Sequence, residues 1–235
     1  MIEIIVCLGS VLGIVLSIIK LYEWLTAQKK KEELIKIVSE AVREGRFYLR
    51  WICEVDIQDF ECNVIETNDV IFVNLQNKSV IKTWHHIWGE EEFFKTLTIE
   101  AYDEKGNRLG VEILTEEPTH KRFAIKFARP VMPLKPYRYR WIQKYKQFKN
   151  LEKGEWFEFQ HESLIKDLIV RIIFPPNSTP SAPIYCYTFE NGEKVPLRAL
   201  NIKKKKGRYY AELKISELRA FRILRFEFSV TKSLL

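Results

Sequence analysis

Basic and aromatic side chains alternate along one interval of this 235-residue chain, a combination that suits recognition of a phosphate-bearing ligand. No acidic residue occurs between Glu117 and Glu152, whereas ten lysines and arginines do. Arginine presents planar donors that match phosphate oxygens, and aromatic rings stack on nucleobases. The interval therefore predicts an anion-binding surface for a nucleotide-like ligand. The residues expected to form it are Arg138, Arg140, Lys144, Lys146, Lys149, Tyr139 and Trp141.

The same residues have a second interpretation, which follows from the geometry of a β-strand. Successive side chains of a strand point to opposite faces, so Tyr139 and Trp141 share one face. Arg138 and Arg140 share the other face, and one strand cannot then present both sets to one ligand. The alternative is that the aromatic side chains belong to a core and the arginines are solvated.

Catalytic and metal-binding motifs are absent from the sequence. It contains no nucleotide-binding glycine loop, no HExxH and no GxSxG, and the Glu90–Glu92 run is typical of a solvated turn. His85 and His86 are adjacent on a predicted strand, which directs them to opposite faces and keeps them from sharing a metal. The four cysteines form no CxxC pair and indicate neither a zinc site nor a disulfide framework. We predict a protein that is not an enzyme and has no metal or cofactor; a hydrolase built from distant residues stays open.

Alternating apolar and polar residues dominate the chain after residue 45. The first alternating row, on one face of a long predicted strand, is Phe47, Leu49, Trp51, Cys53, Val55 and Ile57. Turn-forming residues at 103–107 and the Asn191-Gly192 pair separate further strands of this kind. Roughly ten to thirteen strands without intervening helices predict a mainly β domain. Its fold is expected to be an antiparallel β-sandwich, for which the immunoglobulin-like type is one candidate, or a barrel. The proline-rich stretch 175–183 is the best candidate for a sub-domain boundary.

The N-terminal segment has the length and apolarity of a transmembrane helix. Residues 4–19 carry no charge. A helix over Ile2–Leu25 is about 36 Å long, against about 30 Å for the hydrocarbon core of a bilayer. The triple lysine at 29–31 favours a cytoplasmic C-terminal side, and Leu25 is a poor residue for the cleavage site of a signal peptide, the main alternative. The predicted organisation is a single-pass anchor with its N-terminus outside (1–27), an amphipathic stalk helix (28–45) and a cytoplasmic β-rich domain (46–235).

Three small residues, Gly9, Gly13 and Ser17, recur every four positions in the predicted anchor. Residues four apart lie on one face of a helix, so these side chains form a strip on which a second helix can pack closely. The strip predicts a homo-oligomer held together through the anchor. The alternative is that glycine and serine are simply common in membrane helices.

A membrane helix, a strip of small residues and a β-rich domain with the basic-aromatic segment Tyr137–Trp141 form a layout that resembles the membrane-anchored effectors of prokaryotic antiviral defence systems. In those effectors a cytoplasmic domain senses an infection signal, often a cyclic oligonucleotide, and oligomerisation through the membrane helices disrupts the bilayer. The resemblance implies an antiviral effector that binds a ligand and self-associates. It concerns architecture, so no binding residue comes with it.

The net charge of +7 leaves a different function open. Residues 1–45 contain six basic and six acidic side chains, so the excess belongs to the β-rich domain, which includes the Lys203–Lys206 run. A basic domain beside the anionic inner leaflet is drawn towards it. The alternative function is a membrane-tethered scaffold that holds a protein partner and whose basic surface lies against lipid.

Overall fold

The computed structural model describes residues 45–89, 91–117, 119–161, 164–190, 192–219 and 222–233. The predicted anchor, its strip of Gly9, Gly13 and Ser17, and all but the last residue of the predicted stalk lie outside these ranges. Within the ranges, no helix combines the length and the hydrophobicity that a membrane span requires.

Strands make up most of the described chain. They are β1 (Arg46–Ile57), β2 (Asn63–Asn74), β3 (Val80–Trp88), β4 (Thr98–Asp103), β5 (Arg108–Glu117), β6 (His120–Val131), β7 (Pro136–Lys146), β8 (Glu155–His161), β9 (Ile165–Ile173), β10 (Ser178–Pro180), β11 (Ile184–Glu190), β12 (Glu193–Leu200), β13 (Ile202–Lys205), β14 (Arg208–Arg219), β15 (Arg222–Phe228) and β16 (Val230–Lys232). A short helix, α1 (Glu91–Thr96), accompanies them. The prediction of a mainly β domain is confirmed.

The strands form two main sheets and one small one. Ten strands make a large sheet in the order β13-β14-β9-β1-β2-β7-β4-β5-β6-β3, and four make a smaller sheet in the order β12-β11-β15-β8. β10 and β16 pair separately. β1 and β9 run parallel, which differs from the predicted antiparallel arrangement. A tight hairpin would force two strands to be antiparallel, whereas the more than one hundred residues between β1 and β9 allow a parallel pair. The large sheet contains strands from both sides of 175–183, since β9 precedes this stretch and β14 follows it.

A β-bulge changes which side chains of β1 face inward. Leu49 is the extra residue where β1 pairs with β2. Tyr48 and Trp51 are therefore both buried although they are three positions apart, whereas Phe47 and Leu49 are partly exposed. The predicted apolar row is right from Trp51 to Ile57 and wrong for Phe47 and Leu49.

The two main sheets share one core. Trp51 of β1 meets Phe159 of β8 edge-to-face, with ring centroids 5.5 Å apart. Phe174, which follows β9, meets Phe228 of β15 in a similar way at 5.5 Å. Burying an aromatic ring of this size stabilises the fold by about 1.5–3 kcal/mol. Because one continuous cluster of buried side chains joins the sheets, the sheets pack face to face around it.

The helix α1 lies where the sequence predicts a solvated turn at Glu90–Glu92. Its Phe93 and Phe94 are 5% and 8% exposed, and the Phe93 ring lies 4.4 Å from that of Tyr145 on β7. Six residues are too few to display a helical periodicity. Tertiary packing of the two phenylalanines, rather than a local signal, therefore stabilises this turn of helix.

Candidate ligand-binding cavity

A cavity of about 810 Å³ lies between the inner face of the large sheet and β8 of the smaller sheet. Pockets that hold small-molecule ligands have volumes of about 300–1,000 Å³, so this cavity is large enough for one. Much of its wall is aromatic. The aromatic rings that line it are those of Tyr48, Trp51, Trp84, Trp88, Phe93, Phe123, Trp141, Tyr145, Phe148, Trp156, Phe157 and Phe159.

One wall of the cavity comes from β7. Strand alternation buries four of its side chains on the inner face, which are Tyr139, Trp141, Gln143 and Tyr145. The Trp141 ring is packed among other rings, with centroid distances of 4.3 Å to His85, 5.4 Å to Trp51 and 5.7 Å to Tyr139. Rings held on several sides keep their orientation, so this wall is a fixed surface on which a planar ligand can stack.

The polar part of the cavity is a hydrogen-bond network around Glu66 of β2. Asn68 Nδ2 donates to Glu66 Oε1, and the Tyr145 hydroxyl donates to Glu66 Oε2, each at 2.7 Å. Gln143 Nε2 also donates to Oε1, at 3.3 Å. Trp51 Nε1 in turn donates to Asn68 Oδ1 at 2.8 Å. These bonds fix the polar side chains before any ligand enters.

Burial acts on the ionisation of this network. Glu66 is partly exposed because it lines the cavity, but burial of its carboxyl raises its pKa above the ordinary value. Hydrogen bonds from Asn68, Tyr145 and Cys53 oppose this shift, since they stabilise the ionised form. Burial, reinforced by the Glu66 charge, also raises the pKa of the Tyr145 hydroxyl well above its ordinary value. Tyr145 therefore remains a donor, and Glu66 is a carboxyl that ionises reluctantly.

Two buried polar atoms on β7 have no hydrogen-bond partner among the described residues. They are Nε1 of Trp141, a donor, and Oε1 of Gln143, an acceptor, on side chains of residues that are 3% and 5% exposed. Buried polar groups in folded proteins are almost always hydrogen-bonded. Both residues line the cavity, and two positions along a strand place their Cα atoms about 7 Å apart. A bound molecule that offers an acceptor to Trp141 and a donor to Gln143 would satisfy the hydrogen bonding of both atoms.

Basic side chains surround the cavity. Those that line it are Arg46, Arg122, Lys146 and Lys149. Three acidic residues also line it, but Glu158 forms an ion pair with Arg225 and Glu66 ionises reluctantly. The four basic residues therefore outweigh Glu155, and the mouth of the cavity favours an anion.

The two adjacent histidines of β3 point to opposite faces, as strand alternation predicts. His85 is 6% exposed, and its Nε2 lies 3.0 Å from the hydroxyl of Tyr139. His86 is exposed, and its Nδ1 lies 2.9 Å from Nε2 of His120, on whose ring Trp88 stacks at 3.9 Å. One of these two imidazoles donates and the other accepts, so this geometry needs at least one neutral ring.

The structure brings only some of the predicted binding residues to the cavity. Trp141, Lys146 and Lys149 line it. Tyr139 is 1% exposed and lies beside Trp141, within the core. The aromatic members of the predicted set are thus core residues, one of which also forms a cavity wall.

The other predicted residues, Arg138, Arg140 and Lys144, are exposed on the opposite face of β7. Arg138 donates to both carboxylate oxygens of Asp69. The guanidinium of Arg140 lies 5.6 Å from the centroid of the Tyr102 ring. The alternation of the strand separates these three residues from Trp141, so they cannot join it around one ligand. Lys146 has the same alternation, but it is the last residue of β7 and lines the cavity there.

Sequence reasoning misses the polar residues of the cavity, above all Glu66 and Asn68. The signal that could identify them is in β2. Every second residue of this strand faces inward, and there Glu66 and Asn68 interrupt an apolar row that contains Val64 and Val70. Polar side chains on a buried face need partners, which predicts an internal network or a site.

Other chemistry finds little support in the described part of the chain. No three histidine, cysteine, aspartate or glutamate side chains are grouped there as a metal site requires. Burial raises the pKa of the thiols of Cys53, Cys62 and Cys186, the last to about 12. A thiol that stays protonated is a poor nucleophile.

Comparison with known proteins gives no family for this chain. No family model and no curated protein matches it. An M1 zinc metallopeptidase from Deinococcus radiodurans is similar over 77% of this chain and 42% of its own length, with a TM-score of 0.49 and 8% identity. A candidate protease from Parabacteroides distasonis is similar over 78% of this chain and 40% of its own length, with a TM-score of 0.44 and 10% identity. This chain thus spans less than half the length of these structures, and likeness at this level assigns it no activity.

Proposed function

We propose that this chain is a membrane-anchored protein that acts by binding a ligand rather than by catalysis. Its β-rich domain holds a small ring-bearing anion, such as a nucleotide, in the cavity between the two main sheets. One observation carries the proposal: one open cavity combines an aromatic wall, a polar network fixed by hydrogen bonds, and a buried donor and acceptor that lack partners among the described residues.

Each part of the cavity has a counterpart in a nucleotide. Aromatic side chains stack on a base with a gain of about 1–3 kcal/mol per base. Trp141 Nε1 and Gln143 Oε1 supply a donor and an acceptor for the polar edge of that base. Lys146 and Lys149 lie where a phosphate would meet positive charge.

The cellular setting of the proposal comes from the sequence. The apolar segment Ile2–Leu25 anchors the chain, and the lysines at 29–31 keep the domain in the cytoplasm. The strip of Gly9, Gly13 and Ser17 brings copies together in the membrane. The protein would then sense a phosphorylated signal and work as an oligomer, in the manner of the antiviral effectors that its layout resembles.

The test is a calorimetric titration of the full chain in detergent with AMP, with a cyclic dinucleotide, and with adenosine and inorganic phosphate as fragments. We expect AMP to bind more tightly than either fragment, because ring and phosphate bind together. The paired change Lys146→Glu and Lys149→Glu should weaken AMP binding by more than about tenfold, a loss of about 1.4 kcal/mol, and should change adenosine binding less.

The matched control is the paired change Arg140→Glu and Lys144→Glu, which reverses two charges on the opposite face of β7. AMP affinity should change little in this variant. The proposal is wrong if the control loses AMP binding and the cavity variant keeps it, or if the wild-type chain binds none of these probes.

A further inference from the structure

Three apolar side chains are exposed near one another at one end of the large sheet. Ile81 is 61% exposed, Met132 57% and Leu134 72%. Val80 of β3 pairs with Val131 of β6, and Ile81 and Met132 are the residues that follow them. Leu134 lies in the turn after β6. These three residues are called the apolar tip. Exposed apolar residues grouped in this way mark a surface that contacts something else.

Backbone hydrogen bonds join the apolar tip to the place where the chain enters the sheet. The main-chain oxygen of Asn74 accepts the N–H of Leu134 at 2.8 Å, and Asn74 Nδ2 donates to the oxygen of Val131 at 3.0 Å. The oxygen of Gly45 accepts the N–H of Leu75 at 3.0 Å. The apolar tip and Gly45 therefore lie at the same end of β2.

The backbone of Leu134 adds a second argument. Its φ of 59° lies in the left-handed region, which favours glycine and asparagine and disfavours leucine. With the side chain 72% exposed, core packing does not offset this unfavourable conformation. A leucine here is therefore better explained by a contact outside the domain than by folding.

The charges around the apolar tip are mainly positive. Its exposed basic neighbours in the chain are Lys78, Arg129 and Lys135. No acidic residue occurs at 70–82 or at 126–140. The β4–β5 hairpin reaches the same end of β7, and its segment 103–108 contains two acidic and two basic residues, which offset one another. Apolar side chains ringed by positive charge match the surface of an anionic bilayer.

We propose that the apolar tip is a membrane-contact surface that rests on the anionic bilayer in the anchored protein. The chain enters the domain at Gly45, at the end of the sheet that bears the tip, and only residues 28–44 separate Gly45 from the predicted anchor. The proposal rests on that anchor. It goes beyond ligand binding because it specifies which end of the domain faces lipid.

The proposal also constrains the predicted stalk. Seventeen helical residues standing upright would hold the tip about 26 Å above the membrane. Contact between the tip and lipid is therefore incompatible with an upright stalk helix.

The Lys203–Lys206 run supplies a matched control, because it lies at the other end of the sheet. Lys205 pairs with Arg208, whose guanidinium donates to the main-chain oxygen of Ile57 at 2.7 Å. Ile57 ends β1, and twelve residues of strand span about 40 Å. The run is basic, as the tip is, but it is far from the tip.

The experiment places a fluorescent label at each end of the full chain in vesicles. Leu134→Cys and Lys205→Cys are made with Cys7→Ser, since the other native cysteines are buried. Each variant is labelled and reconstituted in phosphatidylcholine with phosphatidylserine, with or without lipids that carry a quencher on the acyl chain. We expect quenching at position 134 and little at position 205. Adding Lys78→Glu and Lys135→Glu, or omitting phosphatidylserine, should remove the quenching.

Each other outcome overturns the proposal in a distinguishable way. Flotation without quenching at position 134 removes the lipid contact and leaves the anchor. Equal quenching at both positions means that lipid contact is not confined to the tip, which also contradicts the proposal. A label at position 134 that is shielded from water but not quenched identifies a protein, such as a second copy, as the occupant. A full chain that fails to float with the vesicles removes the anchor too. AMP titration of the same material reports independently on the cavity.

Discussion

The Glu66 carboxyl accepts hydrogen bonds on both of its oxygens, yet burial keeps its pKa above the ordinary value. The two effects oppose one another, because donors favour the ionised form and a low dielectric favours the neutral form. Since burial dominates, Glu66 binds its proton more tightly in the folded chain than in the unfolded chain, where the ordinary pKa is 4.5. At neutral pH this residue therefore contributes less to stability than it does in acid.

Replacing Glu66 with glutamine should remove this pH dependence. A pKa raised on folding contributes stability that is fully present below the unfolded pKa and is lost as the pH rises through the folded pKa. The free energy of unfolding of Glu66→Gln, relative to wild type, should therefore increase with pH above 4.5, by about 1.4 kcal/mol per pH unit, and level off beyond the folded pKa. Urea unfolding of both proteins at several pH values measures this, and a difference that stays constant would contradict it.

Single residues show how far the sequence predicts the site. Alternation along β7 is enough to place Trp141 inward and Arg140 outward, and their burial agrees. Alternation does not distinguish an inward residue in a filled core from one that lines a cavity, because that depends on the separation of two sheets. The bidentate contact of Arg138 with Asp69, which lies 69 residues earlier, also depends on the register of β2 with β7.

At the scale of elements, irregularities on the two sides of β9 coincide. β1 has its bulge at Leu49, and β14 shifts against β9 at 216–219. Both irregularities lie beside Ile165 of β9. This residue pairs with Tyr48 of β1 on one side and with Arg219 of β14 on the other. Aligned bulges bend a sheet and increase its twist. Here the bulge of β1 directs both Tyr48 and Trp51 towards the cavity, with ring centroids 5.0 Å apart.

Gly45 directly precedes β1 and has a φ of 72°, which a residue with a side chain adopts at a cost. We expect Gly45→Ala to lower the free energy of unfolding by about 1–2 kcal/mol. An added Cβ would lie 2.6 Å from Cγ of Gln76, but that side chain is flexible and can move. Chemical unfolding followed by tryptophan fluorescence measures the change.

Gly106→Ala is the control for this prediction. Gly106 has a φ of 83° and open space around its Cα, so alanine there meets the same backbone strain without a steric contact. The two variants should lose similar amounts of stability. A much larger loss at Gly45 would mean that Gln76 cannot move aside, and no loss at either glycine would contradict the strain argument.

Local signals predict the hairpins of this fold better than its long-range pairs. Turn-forming residues predict the connection at 103–107, which joins β4 to β5 in the structure. The parallel pairing of β1 with β9 leaves no local signal, because its partners are more than a hundred residues apart. The bulge at Leu49 is hidden for the same reason, since it becomes visible only against β2.

At the scale of the whole molecule, the positive charge that composition indicates is divided among separate surfaces. Arg140 and Lys144 lie on the outer face of β7, Lys78 and Lys135 beside the apolar tip, and Lys203–Lys206 at the far end of β1. If one end of a strand about 40 Å long stands on a flat bilayer, the other end is held away from the lipid. Net charge thus predicts an attraction to anions, whereas only the fold determines which basic residues can act together.

The proposed self-association through the predicted anchor concerns the whole protein, and it can be tested apart from the domain. Replacing Gly9 and Gly13 with leucine should separate paired helices, because packing is their main attraction in lipid. A loss of about 1.4 kcal/mol weakens dimerisation tenfold, which sedimentation of the full chain in detergent would detect as a shift towards monomer. Val11→Leu with Val15→Leu is the control, since these residues lie on another face of the predicted helix. If both pairs reduce assembly equally, or the glycine pair does not, the oligomer is held together by other contacts.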